Sequence, residues 1–441
     1  MGRTLGTVMK PYAQMRNTAL SIGIAAICST AAAEVRTMTL QQAVALAVMQ
    51  NPDVLLAKLD QQKARDEVTI VRDPFTPKIY AGSGAAFTYG YPASIEGSGP
   101  SIVQARASMA LFNRPQQYLV AQAKEEMRGA AIDTARRQEE AVYRVATLFL
   151  DVEQTMRSLE AARHRIESLT RVRDLTAQRV SEGRELPLES KKANLTVLRA
   201  QQQVEGLTLD LENGEISLAL AIGLTAADRV QPAAQERPPL AVPESEQVCI
   251  DQAFANSNEL KSLQSNIDSK MLEVKSARAA WLPKVDLVAQ YALFAKYNYS
   301  DYFQKFQTNN AELGVSIQFP LFAGHRGSAE ASQAEADIAK LRIESMRTRE
   351  RISADTRAAY NNMKRTEAAR DVARADLDVA REELTVLLAQ MDEGRVPLAS
   401  VEAARAAEDE KWLAYYEAQK AAEAARMTIL RQTGMLEAAL K

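Results

Sequence analysis

The sequence repeats itself about 210 residues apart, and each copy switches its hydrophobic period from helix to strand and back. Pro77-Lys78 opens one alternating run and Pro283-Lys284 another; Leu111-Phe112 and Leu321-Phe322 close alternating runs in the same order. Glu182-Gly183-Arg184 through Pro187-Leu188 is echoed, one residue shorter, by Glu393-Gly394-Arg395 through Pro397-Leu398. Ile222-Gly223-Leu224 is echoed by Thr433-Gly434-Met435. Ordered landmarks at nearly constant offset mean duplication, and duplication bounds the fold before any local pattern does. The expected division is a leader over 1–33, a first repeat over 34–230 and a second over 231–441, each reading helix, two strands, long helix, helix.

Four segments alternate with period two, as strands with one apolar and one polar side do. Leu313, Val315, Ile317, Phe319 and Leu321 oppose Glu312, Gly314, Ser316, Gln318 and Pro320, and the odd positions from Val285 to Tyr297 oppose Asp286, Gln290 and Lys296. Val103, Ala105, Ala107, Met109 and Leu111 oppose Gln104, Arg106 and Ser108; Lys78 to Tyr91 is the weakest run, with Phe87, Tyr89 and Tyr91 on one face. Each run reaches the roughly 9–11 residues that a tilted strand needs to cross a bilayer. A hairpin packed on helices in water is the alternative. Against it stand the strand length, the polar side turned away from an apolar stripe, an export signal, and aromatic residues at the strand ends (Tyr89, Tyr91, Tyr297, Tyr299, Tyr302, Phe303, Phe306) like those of membrane interfaces.

Four strands cannot stand alone in lipid, because every backbone donor and acceptor there needs a partner and a sheet must close on itself. Two chains would supply eight strands, whose interior side chains fill; three would supply twelve and leave an aqueous lumen. Lys78, Gln104, Arg106, Asp286, Gln290 and Glu312 would line it.

Helix patterning fills the rest. Thr39 and Gln42 fit a capping box that opens a helix to about Arg72. A longer pattern runs from about Pro115 to Ser181 and another from Pro187 to Ile222; the second copy repeats these over about Glu244–Trp281, Arg326–Asp392 and Pro397–Gln432. The long helix would reach about 100 Å at 1.5 Å per residue, and the two shorter ones end to end sum to a similar length. Leu377, Ala380, Leu384, Leu387 and Met391, like Leu148, Val152, Met156 and Leu159, keep the three-four spacing of a coiled coil.

Arg3, Lys10 and Arg16, then the apolar stretch from Ala19 and Ala31-Ala32-Ala33, form a secretory signal with an A-x-A cleavage site. A short membrane anchor is the alternative, though about 15 residues fall short of a span. Ile27 before Cys28 stands where a lipidation site wants a small residue. Loss of the leader's three basic residues would take the formal net charge from −2 to −5, a mild value that argues against nucleic acid as a partner. Cys249 then has no intramolecular mate and is expected as a packing residue. His164 and His325 stand apart, and the chain has no HExxH, no P-loop, no dinucleotide fingerprint and no Cys/His cluster. No catalytic residue, cofactor site or metal site is expected.

Together, Leu40-Gln41-Gln42-Ala43 through Asn51-Pro52-Asp53, the two Pro-Lys strand openings, Leu321-Phe322-Ala323-Gly324 and the two Glu-Gly-Arg turns resemble the TolC-like outer-membrane efflux proteins, over Met38 to Met435. The resemblance implies a mainly α chain with a transmembrane β segment. Three copies would share a 12-stranded outer-membrane barrel continued by a periplasmic helical tunnel. It further implies a homotrimer that docks on a periplasmic adaptor and an inner-membrane transporter of the RND or ABC class, conducting substrates passively in efflux or type I secretion. Gly183, Arg184, Pro187, Glu189, Gly394, Arg395 and Pro397 would form the periplasmic tip that meets the adaptor. Charges there, with Arg184 and Arg395 foremost, would hold the tip closed. The gate is where the sequence departs from the family: Ser400 and Ala403 stand where acidic constrictions carry aspartates, Glu402 is one position off, and Met391 replaces a tyrosine. The rival from another class is a secreted or periplasmic coiled-coil stalk without a pore. An adaptor is a third possibility, though this chain ends in helical pattern rather than in strands.

Overall fold

The computed structural model describes residues 35–83, 101–233, 240–294, 309–321, 324–393 and 395–440. The expected leader over 1–33, the aromatic positions at 87, 89, 91, 297, 299, 302, 303 and 306, and Gly394 lie outside these residues.

Within the described residues the chain runs β1 (Val35–Met38), α1 (Leu40–Gln50), α2 (Pro52–Arg72), β2 (Lys78–Gly82), β3 (Ser101–Asn113), α3 (Arg114–Ser181), α4 (Pro187–Ile222) and β4 (Arg229–Pro232). The second half runs α5 (Glu246–Asn256), α6 (Asn258–Arg278), β5 (Lys284–Phe294), β6 (Asn309–Gln318), α7 (Arg326–Asp392), α8 (Leu398–Gln432) and α9 (Leu436–Leu440). Short 3₁₀ turns at Asp73–Phe75 and Ala279–Trp281 lead into β2 and β5.

The capping box forms as expected: Thr39 accepts from the Gln42 backbone while the Gln42 side chain accepts from the Thr39 backbone. The single helix expected over 39–72 is broken at Asn51. Pro52 forbids its predecessor the α region, so Asn51 sits at φ −58°, ψ 129° and restarts the helix by capping the Asp53 and Val54 amides. Its counterpart over 244–281 is likewise two helices, parted at Ser257, whose hydroxyl caps Leu260. The other boundaries shift by a residue: α3 begins at Arg114 and α8 at Leu398.

The two long helices, of 68 and 67 residues, are the spines. Against α3 pack α2 along one stretch and α4 along another, and α6 and α8 lie along α7 in the same way. The core gathers where the stacked ends meet: Ala43, Val44 and Ala47 of α1, Val142, Val145 and Phe149 of α3, Leu218 and Ile222 of α4, Met427 and Leu430 of α8. Val152, Leu159, Leu377 and Ala380 from the expected seams are buried. Cys249 is buried and unpaired.

A parallel β1–β4 pair, which the sequence patterning missed, ties the segment before α1 to the link between the copies. Arg229 of β4 donates to Glu215 of α4 at 2.6 Å and to Glu212 at 3.1 Å, and Gln231 donates to Glu215 at 2.8 Å. Glu215 is fully buried, so these donors are what lets a carboxylate stay there.

Candidate functional site: a polar strand face and two hairpin turns

The other four strands form one antiparallel sheet ordered β2-β3-β5-β6, whose edges are β2 and β6. Residues directly opposite on antiparallel strands share a face. One cross-strand row therefore runs Tyr80, Arg106, Gln290, Glu312, and the next runs Gly82, Gln104, Ala292, Asn310. Lys78 lies in the row of Ser108, Val288 and Gly314, and Asp286 lies between Ala110 and Ser316. All six residues expected to line a lumen thus share one face. Lys78 sits at its rim, its ammonium 2.5 Å from Asp73 in the turn below.

The opposite face carries Ile79, Ala105, Ala107, Met109, Leu287, Ala289, Leu313, Val315 and Ile317. Within one chain Ile79 is 74% and Leu313 76% exposed. One detail of the expected alternation fails. The register shifts between Ala110 and Phe112, so the bulge takes Leu111 out of the row and puts Phe112 opposite Val285. The strand expected over 311–322 also ends at Gln318, leaving Phe319 and Leu321 beyond it, and the run expected to Tyr297 is described as strand only to Phe294.

At the far ends of the spines two hairpin turns recur. Gly183 takes φ +74°, which lets its amide reach the Val180 carbonyl at 3.0 Å and the Arg184 amide reach Arg179 at 2.9 Å. These bonds close the helix with a left-handed cap. Arg395 reaches the Gln390 carbonyl at 2.9 Å, closing α7 with the same long bond. Pro187 opens α4 and Pro397 precedes α8, fixed-φ residues suited to a helix start. Arg184 pairs with Glu182, and Arg395 with Glu393, each at 3.1 Å and within its own turn; Glu189 pairs with Lys192 at 2.8 Å. All six side chains are largely exposed to solvent, and such pairs contribute less than about 1 kcal/mol each.

The gate positions scatter. Ala403 is exposed, Met391 and Ser400 are half-buried, and Glu402 is buried beside Val401. Glu402, the acid one position off the family's gate pattern, meets Arg405 at 3.1 Å and keeps its Oε2 buried without a hydrogen bond. Higher on the same side of α8, burial pushes the Asp409 carboxyl up, Glu408 adds to the rise, and His164, Arg165 and Arg405 oppose it. Above it Trp412 stacks on Tyr416 with ring centres 5.1 Å apart. Arg381 of α7 lies 4.3 Å over Trp412, and Arg157 of α3 lies 5.2 Å over Tyr416. This clasp was missed in the sequence; its signal was an i, i+3, i+4 aromatic set at Trp412, Tyr415 and Tyr416 within an alanine-rich helix.

His164 is exposed, 4.0 Å from Glu167. Among the described residues no group of three or more His, Cys, Asp or Glu is placed to hold a metal ion. None of the described helices is long and apolar enough to cross a membrane. An open cleft of about 390 Å³ lies where α5 gives way to α6, lined by Arg136, Glu139, Asn258, Arg351 and Arg431 among others.

The arrangement has solved counterparts. The outer membrane protein VceC of Vibrio cholerae aligns with a TM-score of 0.69 at 14% identity, covering 90% of this chain and 96% of that one. The CmeC outer membrane channel of Campylobacter jejuni aligns at 0.72 and 14% identity, covering 90% and 86%. By sequence, the proteases secretion protein PrtF of Dickeya chrysanthemi is 26% identical over 182 residues, a match that spans 41% of this chain and 39% of that relative. The family model described as outer membrane efflux protein matches residues 43–224 and 249–435, most of the chain. The chain belongs to the outer membrane efflux protein family.

Proposed function

We propose that this protein is the outer-membrane exit duct of an efflux or type I secretion system, and that three copies assemble to form it. The observation that carries the reading is the sheet itself. Arg106, Asp286, Gln290 and Glu312 share one face, Met109, Leu287, Leu313, Val315 and Ile317 the other, and both edge strands lack a second neighbour among the described residues. In lipid that sheet is stable only when other copies pair with the edges. Three copies supply about twelve strands, enough for a water-filled lumen lined by Gln104, Arg106, Asp286, Gln290 and Glu312.

The spines, about 100 Å long at 1.5 Å per residue, carry the passage through the periplasm. There the hairpin turns at Gly183 and Arg395 face a periplasmic adaptor, and behind it an inner-membrane transporter of the RND or ABC class. Conduction is passive in this reading, the sequence offering no nucleotide-binding fingerprint by which to couple energy. Arg184 and Arg395 each neutralise a glutamate of their own turn, and adaptor docking exchanges those local pairs.

The test is fractionation followed by chemical crosslinking of the native chain. A duct partitions with the outer membrane, needs detergent for extraction, and yields a crosslinked ladder ending at the trimer. A water-soluble product in the periplasmic fraction would favour the coiled-coil stalk.

A further inference from the structure

The cleft at the α5–α6 break lies apart from both the strand face and the hairpin turns. Glu139, on its α3 side, stands about 38 Å along the spine from the strands and about 63 Å from the turn at Gly183. α6 and α8 each pack between α3 and α7. The start of α6 and the end of α8 border the cleft, with α3 and α7 beside them. The junction is firm. Asn256 donates to the Thr433 carbonyl at 2.7 Å, and Gly434, at φ +68°, comes so near that a Cβ there would stand 2.8 Å from that of Asn256.

Two opposite charges border this space without a charged partner. The Arg431 guanidinium lies over the Tyr143 ring at 4.4 Å and makes no hydrogen bond or ion pair among the described residues. Asp355 of α7 is exposed and makes neither. Arg351, by contrast, pairs with Glu259. The half-buried Glu139 carboxyl accepts a bond from Asn258 at 3.2 Å, and burial lifts its pKa against the opposing pull of Asn258 and Arg431. A cation beside Glu139 would restore its charged form. Ser257 caps the Leu260 amide, which leaves the amides of Asn258 and Glu259 without an acceptor in α6.

The duplication shows that the junction itself does not require these groups. The offset that aligns Gly223 with Gly434 puts Leu220 at the place of Arg431, and the one that aligns Asn51 with Asn256 puts Asp53 at the place of Asn258. The first copy makes the same helix junction with an apolar residue and an acid. In the second, the cleft of about 390 Å³ has room for about a dozen water-sized groups, the bulk of a dipeptide.

We propose that this cleft binds a dipeptide-sized zwitterion, its carboxylate on Arg431 and the first amides of α6, its ammonium between Glu139 and Asp355. A guanidinium fork and a helix N-terminus both suit a carboxylate. The site stands independently of the duct reading.

The test is thermal unfolding of the full-length chain in detergent with L-alanyl-L-alanine, its N-acetyl form and its C-terminal amide. The site predicts a saturable rise in the unfolding midpoint with the free dipeptide, at a concentration about tenfold below that needed by either blocked form. Arg431→Gln brings the free dipeptide and the amide to equal potency, and Asp355→Asn narrows the gap to the N-acetyl form. Should Arg431→Gln fail to fold, Arg431→Lys keeps the charge, loses the fork and gives a smaller convergence of the same kind. No rise with the free dipeptide, or blocked forms as potent as it, would overturn the site. Preferences unchanged in the Arg431 and Asp355 variants would place binding elsewhere and overturn it as well.

Discussion

The side-chain amide of Asn51 donates to the carbonyl of Ala221 at 2.8 Å, and in the second half Asn256 donates to the carbonyl of Thr433 at 2.7 Å. Both bonds join a helix break to the end of the helix stacked beneath it. In each half the bond keeps two short helices in line against one long spine, whose two ends carry the strand face and a hairpin turn.

The two asparagines are not equal. Asn51 also caps α2, whereas Ser257 caps α6. Replacing Asn51 with Ala removes a cap and leaves a buried carbonyl unpaired, a loss of about 2–3 kcal/mol. Asn256→Ala loses one hydrogen bond, about 1 kcal/mol. Thermal unfolding in detergent checks the order; a larger loss at Asn256 would contradict it.

Glycine at two of the helix ends has two different reasons. At Gly183 the backbone takes φ +74° with open space around an added Cβ, so Gly183→Ala costs only conformational strain, about 1 kcal/mol. At Gly223 φ is +103°, and a Cβ would stand 2.4 Å from the Gln50 carbonyl oxygen. Gly223→Ala combines strain with overpacking of backbone, about 3 kcal/mol. Chemical denaturation of the two variants side by side measures the gap; equal losses would show that the α1–α4 junction is looser than described.

Much of this was legible in the sequence, and the failures have physical causes. Period two at Leu313, Val315 and Ile317 gave a face because alternation is forced by the pleat, and the Gly183 cap was visible because few residues other than glycine take a positive φ. The break at Asn51 was written in Pro52 and was passed over for the longer helical period. The bulge at Leu111 and the β1–β4 pair left no local pattern: each depends on what a distant segment offers. Glu402 stands in sequence among the gate positions, and only packing reveals that it is buried.

The β4 connection makes a second stability claim. Arg229→Met strands the buried Glu215 with a single side-chain donor from Gln231, a cost of about 3–5 kcal/mol. Adding Glu215→Met removes the stranded charge and recovers most of the loss. Additive losses in the double variant would show that the pair is not coupled.

Glu139 gives a pH signature. Burial lifts its carboxyl above the ordinary glutamate value, against the opposing hydrogen bond from Asn258 and the charge of Arg431. The folded chain holds this proton over a pH range in which the unfolded chain has released it. Stability from this group therefore falls as pH rises from the ordinary glutamate range through the raised value, and is level above it. Glu139→Gln keeps an acceptor for Asn258 and has no proton to lose. It is expected to be more stable than the native chain at neutral pH, with the gap closing toward acid; unfolding midpoints across a pH series read this, and a gap independent of pH would exclude it.

The central claim is that the face bearing Arg106, Gln290 and Glu312 surrounds water while the face bearing Leu313 meets lipid. Gln290 and Leu313 lie at nearly the same height, since Ala289 pairs with Leu313 and Gln290 with Glu312. Single-channel recording in a planar bilayer with a charged methanethiosulfonate reagent separates the two directly. The account predicts that Gln290→Cys channels lose conductance in steps when the reagent is added, and that Leu313→Cys channels do not. Block at Leu313→Cys with none at Gln290→Cys, or no channels from purified protein, would contradict it.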